Sequence, residues 1–455
     1  MEWLSLLLFA VIFIALLTGF PVAFTLAGTS LLFALIANAF GAFDMAFLQS
    51  IPSRIFGIMS NQILIAVPLF IFMGVMLEKS KMAEGLLNTM DEVMRGIKGG
   101  LGIAVILVGM LLAASTGIVG ATVVTMGLLA LPTMLKQGYC PKIASGTICA
   151  SGTLGQIIPP SIVLILLGDV LSSSYQQAQL NQGIFSPESL SVGDLFIGAL
   201  FPGMILVVMY MLYIFYKAVT RPDLIPNHIG EPVKPGLAGR VLKSLLPPLA
   251  LILLVLGSIL GGVATPTEAA SLGALGALVL ALASRQLNLS TLNAVMRDTL
   301  QVTSMIFMIF IGAAFFSLVF KGLGGDELIT ELLTDLPGGV FTAMLIVMAL
   351  MFILGFFLDF IEITYVVVPV VAPILLMMGV DPIWLGIMIA INLQTAFLTP
   401  PFGFALFYLK GVAPPELKTT DLYKGTIPFI LIQLSVLVLI AIWPEIVTWL
   451  PSVVY

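Results

Sequence analysis

The chain has 455 residues, of which 60% are hydrophobic and 9% charged, with a formal net charge of −5. That leaves far too little polar side chain to cover a soluble globule of this length. The composition is that of an all-α polytopic membrane protein with the lipid bilayer as its solvent, and nucleic acid is not expected among its partners.

In chain order, MEWLSLLLFAVIFIALLTGF comes first. It has the length of a signal peptide, but carries Glu2 where a basic region belongs and no small-residue cleavage site, so it reads as a retained first span. A hydrocarbon core about 30 Å thick takes about 20 helical residues. The apolar segments near 2–20, 22–40, 61–78, 142–169, 192–217, 242–262, 266–284, 300–320, 383–409 and 425–443 each fit one crossing. Residues 99–135 and 338–378 do not. They are too long for one span, too short for two with a loop, and polar or Gly-rich at the centre, which points to re-entrant hairpins. Residues 171–194 read as a polar extracytoplasmic loop, and polar segments 82–96 and 286–298 read as lateral arms. Cys140 and Cys149 have neither disulfide nor metal-site spacing and read as packing residues. His228, the only histidine, lies beside Pro226 and Asn227 in a polar loop and reads as solvated.

Charge supports the hairpins, because Lys and Arg collect in short cytoplasmic loops. With both hairpins re-entrant, every one of the 18 Lys and Arg except Arg54 and Lys321 falls inside, Lys81, Lys234 and Arg240 included. Both chain ends then lie outside.

The chain also repeats. Adding 241 carries Pro132 to Pro373, Gly138 to Gly379, Pro141 to Pro382 and Pro159-Pro160 to Pro400-Pro401, and a shift of 245 brings Pro21 onto Pro266 and Gly28 onto Gly273. Each half has five crossings and one hairpin, so the second copy starts on the opposite face. The expected architecture is two inverted-topology repeats, residues 1–220 (hairpin 99–135, broken helix 142–169) and 242–445 (hairpin 338–378, broken helix 383–409), joined by a cytoplasmic linker over 221–241. Transporters of this build place substrate and ions at the midplane between discontinuous helices.

The double prolines break their spans, since proline lacks an N–H and clashes with the preceding turn. Unwound backbone inside a membrane is tolerated where it lines a cavity or is buried in protein. The half-helices starting at Pro159-Pro160 and Pro400-Pro401 present free N–H groups that suit an anion. The half-helices before them end in carbonyls that suit a hard cation such as Na⁺, joined by Ser151, Gly152 and Thr153 in one copy and Asn392, Gln394 and Thr395 in the other. The first hairpin tip, Ala114 to Thr122, is small and hydroxylated. The second carries Asp359 and Glu362 with no Lys or Arg in the surrounding apolar sequence, and an intramembrane acid is costly unless it is paired or serves an ion path. The expected sodium-binding residues are therefore Ser115, Thr116, Gly117, Gly120, Thr122, Gly152 and Thr153 on one side and Asp359, Thr395 and Thr399 on the other. The expected substrate-binding residues are Pro159, Pro160, Ser161, Pro400 and Pro401. No transition metal is expected.

GGVATPTEAASLGALGALVLAL, the tip AASTGIVGAT, GQIIPPS and TPPFGFALF resemble, together and in this order, the large membrane subunit of tripartite ATP-independent periplasmic (TRAP) transporters of the DctM and SiaM type. The resemblance covers essentially the whole chain. It implies an elevator-type, Na⁺-coupled importer of small organic anions in the bacterial inner membrane. It also implies two partners, a small four-helix membrane subunit on a separate chain and a periplasmic substrate-binding protein. By the same resemblance Ser115, Thr116, Thr122, Ser161 and Asp359 stand at positions tied to ions or substrate, and Glu268 at one tied to partner or scaffold contact. Many relatives carry Ser-Gly-Ser at the first tip, where this chain has Thr116-Gly117-Ile118.

The hairpins and broken spans are expected to form a mobile core, and the other spans a scaffold. Residues 171–194 and the acids Asp326, Glu327, Glu331 and Asp335 are candidate docking surfaces on the outer face. The nearest alternative is a stand-alone Na⁺-dependent dicarboxylate or citrate symporter of related fold. An intramembrane enzyme is disfavoured, because the sequence shows neither a membrane histidine nor a second helix-borne aspartate to pair with Asp359.

Overall fold

A computed structural model of the chain describes residues 3–80, 82–226 and 236–454. Glu2, Lys81, His228 and Lys234 lie outside the described residues. The described residues are all helix and connection, in an order that falls into two similar series. The first is α1 (Trp3–Leu16), α2 (Val22–Ala39), α3 (Ile51–Ser60), α4 (Ala66–Lys79), α5 (Met82–Val93), α6 (Gly100–Thr116), α7 (Val119–Lys136), α8 (Pro141–Thr153), α9 (Ile162–Asn181) and α10 (Val192–Thr220). The second is α11 (Leu237–Leu260), α12 (Pro266–Ala283), α13 (Leu289–Gly322), α14 (Gly325–Thr334), α15 (Gly339–Leu354), α16 (Phe360–Val366), α17 (Val368–Met377), α18 (Pro382–Leu398), α19 (Phe404–Val412), α20 (Thr419–Ile442) and α21 (Glu445–Val454).

Among the described residues seven helices are long and apolar enough to cross a membrane, and α16 with α17, bent by 56°, make an eighth candidate. Of the other expected crossings, 142–169 and 383–409 are each made of two helices around a break, α8 with α9 and α18 with α19, while 2–20 and 61–78 hold the single 14-residue helices α1 and α4. The two long segments are helix–turn–helix pairs: α6 and α7 turn at Gly117, and α15 turns through 355–359 into α16. Gly117 has φ +62°, a left-handed conformation that glycine adopts without a Cβ penalty. Pro159-Pro160 and Pro400-Pro401 fall between α8 and α9 and between α18 and α19, and both bonds are cis.

Packing partners correspond between the series. α2 lies on α13 and α4 on α12, while α7 lies on α19 and α17 on α9. α10 and α20 go with the broken helices rather than with α1–α4 and α11–α13, contrary to the expectation that all unbroken spans form the scaffold. For α20 the reason is a crossing with α8 at two glycines: a Cβ on Gly146 would sit 2.6 Å from the Gly425 carbonyl carbon, and one on Gly425 would meet the Lys142 carbonyl. Small residues let membrane helices approach backbone to backbone in this way.

Three boundaries differ from the sequence reading. The expected loop 171–194 is helical as far as Asn181, because α9 continues out of the apolar region. The expected arm 286–298 is no separate element; from Leu289 it is the start of the 34-residue α13, capped by the Asn288 side chain on Thr291 N–H. The acids at 326–331 lie on α14, which follows α13 as α5 follows α4. The terminal helix α21 has no counterpart in the sequence reading; it packs on α10, with the Phe201 and Trp449 rings 5.9 Å apart. Cys140 and Cys149 are free thiols, and Cys149 is buried in α8 with its sulfur 3.6 Å from the Ala405 carbonyl oxygen.

Candidate functional site

At the first tip the Gly117 N–H closes α6 on the Ala113 carbonyl at 2.9 Å. A Cβ there would be 2.8 Å from the Ile162 side chain and 3.2 Å from its backbone nitrogen, so the tip rests on the first residue of α9. Across the tip the hydroxyls of Thr116 and Thr122 are 2.9 Å apart, and Ser115 donates to the Leu112 carbonyl at 2.8 Å. Gly120 leaves room for the ring of Tyr408 on α19, which a Cβ would approach to 3.0 Å. The end of α8 packs against the same hairpin. A Cβ on Gly109 would lie 2.6 Å from the Ser151 side chain, and one on Gly152 would press on Val123 of α7.

The fold thus brings Ser115, Thr116, Gly117, Gly120, Thr122 and Gly152 together between the starts of α9 and α19. Thr153 is turned elsewhere. Its hydroxyl donates to Ala150 and accepts from Gln433 Nε2 at 3.4 Å, and Gln433 also donates to Tyr210 at 2.8 Å. Ser161 is fully buried and caps α9, accepting from the Leu164 N–H at 3.5 Å and donating to the Gln156 carbonyl at 2.9 Å.

The second tip sits on the second break through aromatic rings, with Phe357 5.2 Å from Phe402 and Phe360 6.3 Å from Phe397. Asp359 and Glu362 form a capping box on α16. The Phe360 N–H donates to the Asp359 carboxylate at 2.6 Å, and the Asp359 N–H donates to Glu362 at 3.0 Å. This is why two acids three residues apart occur in an apolar run: each satisfies a first-turn N–H. Glu362 also borders a hollow lined by Phe9, Phe13 and Leu26, so it faces α1 and α2. Thr395 and Thr399 donate their hydroxyl protons one turn back, each at 2.7 Å, which leaves their lone pairs as the groups they offer. Asn392 holds the hairpin by donating to the Met348 carbonyl at 2.8 Å. Glu268 is exposed at the start of α12, where it completes a capping box with Thr265.

Two residues escaped the sequence reading. Gln156 and Gln394 are both fully buried with neither amide atom hydrogen-bonded among the described residues, and only Gln394 stood among the groups expected at a break. Asp169 is a second helix-borne aspartate, on α9, correcting the statement that there is none. Asn61 Nδ2 donates to one of its carboxylate oxygens at 2.8 Å and Tyr365 Oη to the other at 3.1 Å. An acid at the end of the expected crossing 142–169 was the available signal.

Residues 9–446 match the family model of the tripartite ATP-independent periplasmic transporter, DctM component. The chain belongs to this family. Among its TRAP relatives, the C4-dicarboxylate TRAP transporter large permease protein of Vibrio cholerae is 28% identical over 98% of this chain and 97% of its own length. An isethionate TRAP permease protein of Oleidesulfovibrio alaskensis is 28% identical over 84% of this chain but 57% of its own length. In fold, the chain is similar to the YdaH transporter of Alcanivorax borkumensis, with a TM-score of 0.59 and 15% identity over 88% of each chain. This TRAP chain is a multi-pass protein of the bacterial inner membrane and a transporter permease subunit, not an enzyme.

Proposed function

We propose that the chain is the membrane-spanning permease of a Na⁺-driven importer of small organic anions, carboxylates or sulfonates. It acts with a separate small four-helix subunit and a periplasmic binding protein. The observation that carries this reading is that each hairpin tip meets a break, and the first meets both following helices: Gly117 rests on Ile162 of α9, Gly120 faces Tyr408 of α19, and Phe360 meets Phe397 at the end of α18. Hydroxyls, freed carbonyls and one carboxylate then converge beside helix N-termini, which serves a cation and an anion together. Na⁺ is assigned to Ser115, Thr116, Gly117, Gly120, Thr122 and Gly152 at the first tip, without Thr153, whose hydroxyl faces Gln433, and to Asp359, Thr395 and Thr399 at the second. The anion is assigned to the starts of α9 and α19, at Pro159, Pro160, Ser161, Pro400 and Pro401, and a partner contact to Glu268. The isethionate relative, of which the match covers 57%, supports a second membrane unit as a partner.

In this reading residues 1–220 and 242–445 are inverted repeats joined by 221–241, supported by the corresponding pairs α2 with α13 and α4 with α12. The core comprises α6–α10 and α15–α21. The frame comprises α1–α4 and α11–α13, and α5 and α14 are the arms. The test is uptake into proteoliposomes containing both membrane chains and the binding protein. Uptake should require an inward Na⁺ gradient and the binding protein. Equal uptake with K⁺ in place of Na⁺ would sink the coupling, and full uptake without the binding protein would favour the stand-alone symporter.

A further inference from the structure

The polar contacts of the chain divide by where they lie. Lys79 on α4 pairs with Asp298 on α13 at 3.1 Å, Arg240 on α11 pairs with Glu92 on α5, and Lys321 on α13 pairs with Asp326 on α14 at 3.2 Å. Among the described residues these three ion pairs stay within the frame or join it to an arm. The carboxylates that reach between frame and core are held differently. Asp169 on α9 takes its hydrogen bonds from the Asn61 amide at 2.8 Å and the Tyr365 hydroxyl at 3.1 Å. Glu78 on α4 accepts from the Thr125 hydroxyl of α7 at 3.1 Å.

Asn61 belongs to the frame by its own bonds. Its side-chain oxygen accepts from the Ile63 N–H at 2.9 Å, and the neighbouring Gln62 carbonyl accepts from Thr267 of α12 at 2.7 Å. Tyr365 spans the boundary too, since its hydroxyl meets Asp169 while its ring lies 4.1 Å from Phe310 of α13.

We propose that Asp169 and Glu78 are positioning residues at which the core grips the frame in this arrangement and lets go when it moves, a reading that rests on the core–frame division above. The chemistry suits release. A carboxylate parted from a neutral amide or hydroxyl takes water in its place and strands no opposite charge, whereas a broken buried ion pair leaves two uncompensated ions. The pair is also reciprocal, with the acid on the core at Asp169–Asn61 and on the frame at Glu78–Thr125. A strictly structural role has no need of this segregation of ion pairs from neutral-donor contacts.

The experiment locks the contacts. N61C/D169C and, independently, E78C/T125C are built in a chain with Cys140 and Cys149 replaced by alanine, with K79C/D298C as the within-frame control. Each is reconstituted with both partners and treated with a short, reducible thiol cross-linker. Uptake of radiolabelled succinate and of isethionate is measured before and after reduction, together with cross-link yield. The expected result is loss of uptake in proportion to the cross-linked fraction in both frame–core pairs, restored by reductant, with the control unaffected at any yield. The frame–core yields should also fall several-fold below the control, because part of the population has the contacts open. Wild-type uptake rates in the cross-linked pairs, or yields as complete as the control, would overturn the proposal. Wild-type vesicles in the same series keep the two readings apart: uptake without Na⁺ dependence counts against the proposed function, while the yields still decide whether the contacts open.

Discussion

At Gly74 on α4 the frame meets the first hairpin tip backbone to backbone. A Cβ added there would lie 2.5 Å from Thr116 Cα, 2.9 Å from the Ser115 carbonyl oxygen and 3.2 Å from the Thr116 carbonyl carbon. All three are backbone atoms, so no side-chain rotation relieves the overlap. The first distance falls about 0.9 Å short of the 3.4 Å at which ordinary contact begins, and the tip or α4 has to move by about that much. Overpacking of this kind costs about 1–3 kcal/mol. A functional constellation must hold its geometry to about 0.5 Å, so the shift also spoils the placement of Ser115 and Thr116. Gly74→Ala is therefore expected to raise the Na⁺ concentration for half-maximal uptake about tenfold, the equivalent of about 1.4 kcal/mol at the site, and to lower the unfolding temperature of the purified chain. Na⁺ titration of uptake in proteoliposomes and a thermal melt in nanodiscs check both. A Gly74→Ala protein with wild-type Na⁺ dependence and an unchanged melt would refute the close approach of α4 to the tip and the role given to that tip.

Asp359→Asn should nearly abolish Na⁺-driven uptake in proteoliposomes while leaving the chain folded and inserted, since asparagine still caps α16 but carries no charge; near-normal uptake would reduce Asp359 to a cap. Glu362→Gln should cost much less in the same assay, because its other work is to accept the Asp359 N–H and a Gln oxygen does that too. Thr116→Val removes one member of the hydroxyl pair with Thr122 and should raise the Na⁺ requirement several-fold, whereas Thr153→Val, whose hydroxyl faces Gln433, should change it less and instead destabilise the chain by about 1 kcal/mol. Equal Na⁺ dependence in wild type and Thr116→Val would take the first tip out of the ion site. A cysteine beside Arg240 should react with an impermeant thiol reagent only from the cytoplasmic face and one at Asp335 only from outside; the reverse pattern would invert the topology.

The helix–turn–helix segments and the breaks were legible because each leaves a mark that side-chain chemistry cannot hide. Pro159-Pro160 and Pro400-Pro401 cannot lie inside a continuous helix, and 37 or 41 apolar residues fit no single crossing. Less local features were not legible. That α20 packs on a broken helix depends on Gly146 meeting Gly425, 279 positions apart. That Thr153 turns from the tip toward Gln433 depends on the angle at which α8 ends. Asp169 was visible as a residue, but Asn61 and Tyr365 become its partners only through the packing of three helices.

The register that relates the halves keeps backbone roles and changes chemistry. Ile118 and Asp359 coincide under the shift of 241, and both stand at the N-cap of a hairpin's second arm. Ile118 offers no side-chain cap, while Asp359 brings a carboxylate. Ser151 and Asn392 coincide as well, and both hold a hairpin's first arm to a broken helix, one by close approach at Gly109 and the other by a bond to Met348. In the proposed function a cation at the first tip is met by neutral oxygens and leaves its charge uncompensated, so a neighbouring anion at the start of α9 stabilises it and is stabilised in turn. A cation at the second tip is already neutralised by Asp359 and needs no anion. The first ion is thus the one whose affinity should depend on bound substrate, and the second the one that holds its hairpin in place before substrate arrives.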